Sequence, residues 1–243
     1  MTAASALPLP TPQLVMFDLD YTLLLPSDQF EAPGYRRTGA RFGLDLDPAL
    51  WPQAERRASV AVKERRLRTG SAHDDGLLEV IARAVIEGLG GGDPAAVTAT
   101  AETIMAAWSE AANFGLYDDV LPCLRRLRDA GVRVALVSNA VGHGLEDVVA
   151  HFALDDYVET TLSSSDIGLI KPAPQMFHTV LERLGVEPAA AVMVGDSVED
   201  DVRGALACGC AAILLDRGGR YDLPLPTIGS LAELPAALSL EDS

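Results

Sequence analysis

Short apolar runs punctuate the chain at Leu14-Val15-Met16-Phe17, Val132-Arg133-Val134-Ala135-Leu136-Val137, Ala191-Val192-Met193-Val194 and Ala211-Ala212-Ile213-Leu214-Leu215. Runs this short and this continuous suit strands buried on both faces rather than strands with one wet side. Helical patterns run over Leu121 to Ala130, Val141 to His151, Met176 to Leu184 and Val198 to Cys208, and Gly131, Gly185 and Gly209 stand where three of them end. A glycine there can take the left-handed conformation that stops a helix. Strand and helix in alternation predict an α/β fold with a doubly wound parallel sheet. From 24 to 116 the alternation gives way to longer helical patterns, Pro48 to Arg68, Gly76 to Leu89 and Pro94 to Asn113, which predict an inserted all-helical cap domain.

The expected organisation is a mobile, proline-rich leader over 1–12, a core built from 13–23 and 117–243, and a helical cap over 24–116. Because the insert leaves the core just after its first strand, it is expected to lie over the carboxyl end of that strand as a lid. Gly88-Leu89-Gly90-Gly91-Gly92-Asp93-Pro94 follows a helix and not a strand, so it reads as an interhelical turn and not a phosphate loop.

Composition narrows the function. The 243 residues are 49% hydrophobic and 22% charged, an ordinary globular mixture. A formal charge of -16 repels polyphosphate backbones and anionic lipid, so neither a nucleic-acid nor a membrane partner is expected. No apolar stretch approaches a bilayer span, and the first residues lack the pattern of a secretion signal, so the expected location is cytoplasmic. The three cysteines, Cys123, Cys208 and Cys210, imply no disulfide framework and read as small buried residues.

In open parallel sheets ligands bind beyond the carboxyl ends of the strands. The predicted strand ends carry Asp18-Leu19-Asp20-Tyr21-Thr22, Ser138-Asn139 and Gly195-Asp196-Ser197-Val198-Glu199-Asp200-Asp201, and Lys171-Pro172 precedes a helix. Carboxylates gathered from separate strand ends make an oxygen-rich pocket suited to a hard cation such as Mg2+. With a lysine and a hydroxyl on the same edge, the set can hold a phosphoryl group. Asp200 and Asp201 would equally favour the N-terminus of the helix they begin.

These four segments, in this order, resemble the haloacid dehalogenase superfamily, and specifically its phosphatases with a helical cap inserted after the first motif. The resemblance implies that Asp18 is a nucleophile forming an aspartyl-phosphate and that Asp20 protonates the leaving oxygen and then deprotonates water. Thr22 would position the loop. Ser138 and the backbone at Asn139 would bind phosphoryl oxygens, and Lys171 would neutralise charge. Mg2+ would be held by Asp18, the backbone carbonyl of Asp20 and Asp196, with Asp200 as a partner behind them. For Asp20 to act as an acid, its neighbouring carboxylates must raise its pKa.

Two positions depart from the family's usual pattern: Tyr21 stands where glycine is common, and Asp118-Asp119 where many relatives have Pro-Gly. An acid at position 20 favours cleavage of a phosphate ester over a carbon–halogen bond. The expected activity is therefore Mg2+-dependent hydrolysis of a small phosphorylated metabolite. A phosphosugar mutase and a non-catalytic binding member are the alternatives, and oligomeric state is left open. Arg56, Arg57, Lys63, Arg65, Arg66 and Arg68 face Glu64 alone, a basic stretch in an acidic chain. Helical spacing suggests that Arg65, Arg68 and the nearby His73 contact an anionic leaving group.

Overall fold

Every residue of β1 (Leu14–Phe17) is buried in the computed structural model of the chain, which describes residues 7–139 and 142–240. A strand with no exposed face belongs in the middle of a covered sheet. From β1 the chain passes through β2 (Leu24–Pro26) into four helices, α1 (Ala32–Ala40), α2 (Trp51–Thr69), α3 (Leu77–Gly88) and α4 (Pro94–Trp108), and returns through β3 (Phe114–Leu116), which pairs with β2. Alternation resumes in α5 (Val120–Asp129), β4 (Arg133–Ser138), α6 (Leu145–His151), β5 (Thr160–Ser163), α7 (Ser164–Ile167), α8 (Pro174–Leu184) and β6 (Ala191–Gly195). A π-helical turn over Val198–Arg203 then leads into α9 (Gly204–Ala207), β7 (Ala211–Leu215), β8 (Thr227–Ile228) and α10 (Leu234–Ala237).

The chain forms two compact units, one of Met1–Leu25, Leu116–Asn139 and Val148–Ser243, the other of Pro26–Gly115 and Ala140–Asp147. The first holds a six-stranded sheet in the order β5-β4-β1-β6-β7-β8, with every pairing parallel. It is the doubly wound α/β fold that the alternation predicts. One face of the sheet buries Leu14, Met16, Ala135, Val137 and Met193 against Phe177 and Val180 of α8 and Ala205 of α9. The alternate residues Val15, Phe17, Leu136 and Val194 are buried as well, and α5 packs on β4 and α10. In register, Phe17 lies level with Leu136 on one side and Val194 on the other. The residues just past β1, β4 and β6 therefore emerge at one edge, where the strand order reverses about β1.

In the second unit α3 packs on both α2 and α4. Asp93 caps α4 by accepting from Ala95 N at 3.0 Å and Ala96 N at 3.1 Å, with Pro94 in the first helical position. The glycine-rich stretch before it is an interhelical turn. Three expectations need correction. The insert is not wholly helical, because β2 and β3 line its two ends. It contains α1, which the pattern does not predict: Gly34 sits where any Cβ would meet Gln29 O at 2.2 Å, so close packing selects a residue that weakens a helical signal. The helix expected from Val141 begins at Leu145, with residue 141 outside the described residues.

The leader is also shorter than expected. Leu9 is buried, its N–H donates to Ala237 O at 2.7 Å, and its carbonyl accepts from Ser239 Oγ at 2.8 Å, so backbone pairing with the C-terminal segment draws it into the first unit. Residues 1–6 lie outside the described residues. Cys123, Cys208 and Cys210 are buried free thiols. Among the described residues, no helix is long and apolar enough to cross a membrane.

Candidate active site

Asp18 comes directly after β1, and its N–H donates to Val194 O of β6 at 3.0 Å, which continues the sheet pairing by one residue. Its side chain is nearly buried. Oδ1 accepts from Lys171 Nζ at 2.6 Å, and Oδ2 accepts from Thr22 Oγ1 at 3.2 Å. Lys171 is 1% exposed, and its ammonium donates also to Val137 O at 2.7 Å and Asp201 Oδ1 at 2.7 Å. Three protons thus meet three acceptors, which is what lets an ammonium be buried at all. Burial alone would lower the pKa of Lys171, but the charges of Asp18 and Asp201 and their hydrogen bonds outweigh it and hold the group protonated.

Asp201 reaches Lys171 through the π-helical turn. Val202 N donates to Ser197 O at 3.2 Å, five residues back, and this wide turn carries the Asp201 carboxylate over Gly195, where Oδ2 accepts from Ser197 N at 3.0 Å. A Cβ at Gly195 would meet Asp201 Oδ2 at 2.2 Å, so the site requires glycine there. Burial pushes the Asp201 carboxyl upward, against the attraction of Lys171.

Asp196 comes directly after β6, and its Oδ2 accepts from Arg220 Nη2 at 3.2 Å. Its pKa is pushed up to about 6, by burial first and then by the charge of Asp18. The pKa of Asp20, half-buried two residues beyond Asp18, is pushed up to about 8, chiefly by burial and next by Asp18, with Lys171 opposing. The expectation from the sequence is that crowding carboxylates raise it; desolvation is the larger cause. One carboxylate oxygen each from Asp18, Asp196 and Asp201 lies within 4.8 Å of the other two. Such converging hard oxygen donors suit a divalent cation.

The profile of the haloacid dehalogenase-like hydrolases matches residues 12–209. The chain belongs to that family. Glyceraldehyde 3-phosphate phosphatase of Methanopyrus kandleri is 28% identical to it over 209 residues, 86% of either chain. Ribulose-1,5-bisphosphate 5-phosphatase of Halopiger xanaduensis is 30% identical over 210 residues, again 86% of either chain. A crystal structure of a HAD phosphatase from Thermococcus onnurineus, 25% identical, aligns over 94% of this chain and 99% of its own with a TM-score of 0.63.

The remaining expected site residues fall at two different places in this haloacid dehalogenase-like hydrolase. Ser138 ends β4 and is buried. The side chain of Asn139 clamps the backbone of Lys171: Oδ1 accepts from Lys171 N at 2.6 Å and Nδ2 donates to Lys171 O at 3.1 Å. Nδ2 also donates to Asp200 Oδ2 at 3.3 Å, so Asp200 meets the Asn139 side chain, whereas the carboxylate that reaches the Lys171 ammonium belongs to Asp201. Sequence reasoning missed Asp201 as a partner of the ammonium because an acidic residue there reads equally as one favouring the first turn of a helix.

Arg65, Arg68 and His73 lie in the helical unit. Arg65 Nε and Nη2 donate to Asp74 Oδ2 and Oδ1 at 2.5 and 2.8 Å, and Asp74 also takes Gly76 N at 3.1 Å. That guanidinium fastens the turn between α2 and α3. Arg68 is exposed, and His73 Nε2 stands 3.0 Å from Asp75 Oδ1. Arg65 and His73 thus each meet a neighbouring carboxylate, Asp74 and Asp75, within the unit.

Proposed function

We propose that the chain hydrolyses a small phosphomonoester through an aspartyl-phosphate on Asp18, with Mg2+ as cofactor. The observation that carries this reading is the buried Lys171 ammonium 2.6 Å from Asp18 Oδ1, with carboxylate oxygens of Asp196 and Asp201 within 4.8 Å of Asp18's; beside it, burial raises the carboxyl of Asp20 toward its acid form. An alkoxide leaving group needs a proton and a halide does not, so an acid at this position favours phosphate-ester over carbon–halogen cleavage. Solved neighbours of this fold include both phosphatases and dehalogenases, which makes that discrimination necessary. The two phosphatase relatives act, by their names, on small sugar phosphates, and the same substrate class is proposed here.

Asp18 attacks phosphorus, and the bond to the leaving oxygen breaks as Asp20 gives it a proton. Lys171, charged and locked by three acceptors, offsets the repulsion between an anionic carboxylate and an anionic ester. Ser138 and the backbone at Asn139 hold phosphoryl oxygens, and Asn139 keeps Lys171 in place. Asp20, having lost its proton, then takes one from the water that attacks the aspartyl-phosphate, which returns Asp18 and releases phosphate. Asp18, Asp196 and the backbone carbonyl of Asp20 would hold Mg2+, with Asp201 beside them. When bound, Mg2+ supplies positive charge to the nucleophile and the phosphoryl oxygens.

Phosphate release measured across triose and sugar phosphates, phosphoglycolate and nucleotides, with Mg2+, tests this reading. Turnover of at least one small ester by the wild type, lost in Asp18→Asn, is expected. Silence across the panel, or full activity in Asp18→Asn, would end it.

A further inference from the structure

Thr22, whose hydroxyl donates to Asp18, is itself held from behind. Its carbonyl accepts from Arg217 Nη2 at 3.0 Å. Arg217 lies just beyond β7, far from Thr22 in sequence. The same guanidinium grips Asp119 with two parallel bonds, Nη1 to Oδ2 at 2.8 Å and Nη2 to Oδ1 at 2.9 Å. Its Cζ lies 3.8 Å from the centre of the Tyr117 ring, a cation–π contact on a third side. Asp119 is fixed in turn by Ser230 Oγ at 2.7 Å and Leu231 N at 2.8 Å. The side chains of Arg217 and Asp119 are 19% and 14% exposed, so this is no solvated surface pair whose geometry costs entropy and returns little.

We propose that Asp119 and Arg217 are positioning residues for the reaction: together they fix the carbonyl of Thr22, and through its hydroxyl the carboxylate of Asp18, at the angle needed for attack. The inference rests on the phosphatase reading of Asp18. It explains the departure at positions 118–119, since a glycine at 119 has no carboxylate with which to orient Arg217. A planar guanidinium is needed because one group must meet a carboxylate in two places and still reach a carbonyl. Neither residue touches the reacting atoms. Their loss therefore misplaces the nucleophile without removing a contact to substrate.

The test uses the full chain with Mg2+ and an aryl phosphate, comparing wild type with Asp119→Asn, Arg217→Lys, Arg217→Ala and the double variant Asp119→Asn/Arg217→Ala. Misplacement of a reacting group by an ångström costs on the order of a hundredfold, so kcat should fall by about ten- to a hundredfold while KM stays within about a factor of two. The double variant should be no slower than Arg217→Ala, because both changes break one link. Added guanidinium ion should restore part of the turnover of Arg217→Ala and none of that of the double variant. Amide hydrogen exchange at Thr22, Leu23 and Leu24 should quicken in every variant, including the milder Asp119→Asn, while β6 stays protected. Unchanged exchange at these amides, or losses in kcat that multiply in the double variant, overturns the inference. A wild type that turns over no ester would sink the phosphatase reading, and the exchange measurement still decides whether this pair fixes the loop.

Discussion

A carboxyl that is to give a proton away must first hold one at working pH, and the pKa of about 8 at Asp20 meets that condition. Burial is the largest cause of the shift, with the charge of Asp18 next, so the neutral form does not depend on a passing collision with Asp18. In Asp20→Asn the site keeps its shape and loses only the transferable proton. We expect kcat/KM for an alkyl phosphate to fall by about 100- to 10,000-fold, and for p-nitrophenyl phosphate, whose leaving group needs little protonation, by much less. Equal losses for the two esters would remove Asp20 from the role of acid. Its neighbour Tyr21 has a different problem, a backbone φ of 62°. An L residue with a Cβ is strained there by roughly 1–2 kcal/mol, and glycine is not. Tyr21→Gly should therefore unfold at higher denaturant than Tyr21→Ala by about 1 kcal/mol, the reverse of the usual order.

At the scale of elements, what was legible in the sequence and what was not divide along physical lines. β1, β4, β6 and β7 are buried on both faces, and burial writes itself as apolar runs. The polar β5, Thr160–Ser163, and the two-residue β8 lie towards the edges of the sheet, where no such run is required. Asp18, Asp20, Ser138 and Asp196 could be read because strand ends are predictable, and Lys171 because it opens a recognisable motif before a helix; Asp201 could not, because beside Asp200 it reads equally as an acidic residue in the first turn of a helix. His143 was likewise silent. The segment after β4 buries it, 3% exposed, stacked on Phe114 at 5.1 Å and set edge-on to Trp108 at 6.2 Å. Burial lowers its pKa from the ordinary 6.5, with Asp147 opposing. A histidine held neutral contributes fully above pH 6.5, and as pH falls below that value the unfolded chain takes up the proton first, so stability is lost. The wild type should lose stability relative to His143→Phe between about pH 6.5 and 5. Urea titrations across that range decide it: a constant gap between the two proteins would mean that His143 titrates alike folded and unfolded.

At the scale of the whole molecule, a net charge of -16 and a knot of carboxylates at one sheet edge act on stability through different physics. Diffuse repulsion is screened by any salt, within about 10 Å at 0.1 M. The cluster is another matter, because Asp18, Asp196 and Asp201 converge on a space smaller than a screening length, and simple salt cannot enter it as a ligand can. Mg2+ that binds the folded state alone stabilises it by about 2.7 kcal/mol at a hundred times its Kd, which for a chain of this size is roughly 5–10 °C in Tm. We expect that increment in wild type over NaCl of equal ionic strength, and its reversal by a chelator. Asp196→Asn removes one oxygen charge from the cluster and leaves the overall charge nearly as negative, so it should keep the response to NaCl and lose the response to Mg2+. Thermal unfolding of both proteins in the two salts separates the effects. If Mg2+ raises Tm equally in wild type and Asp196→Asn, the cation is acting on the surface field, and the acidic cluster is not its site.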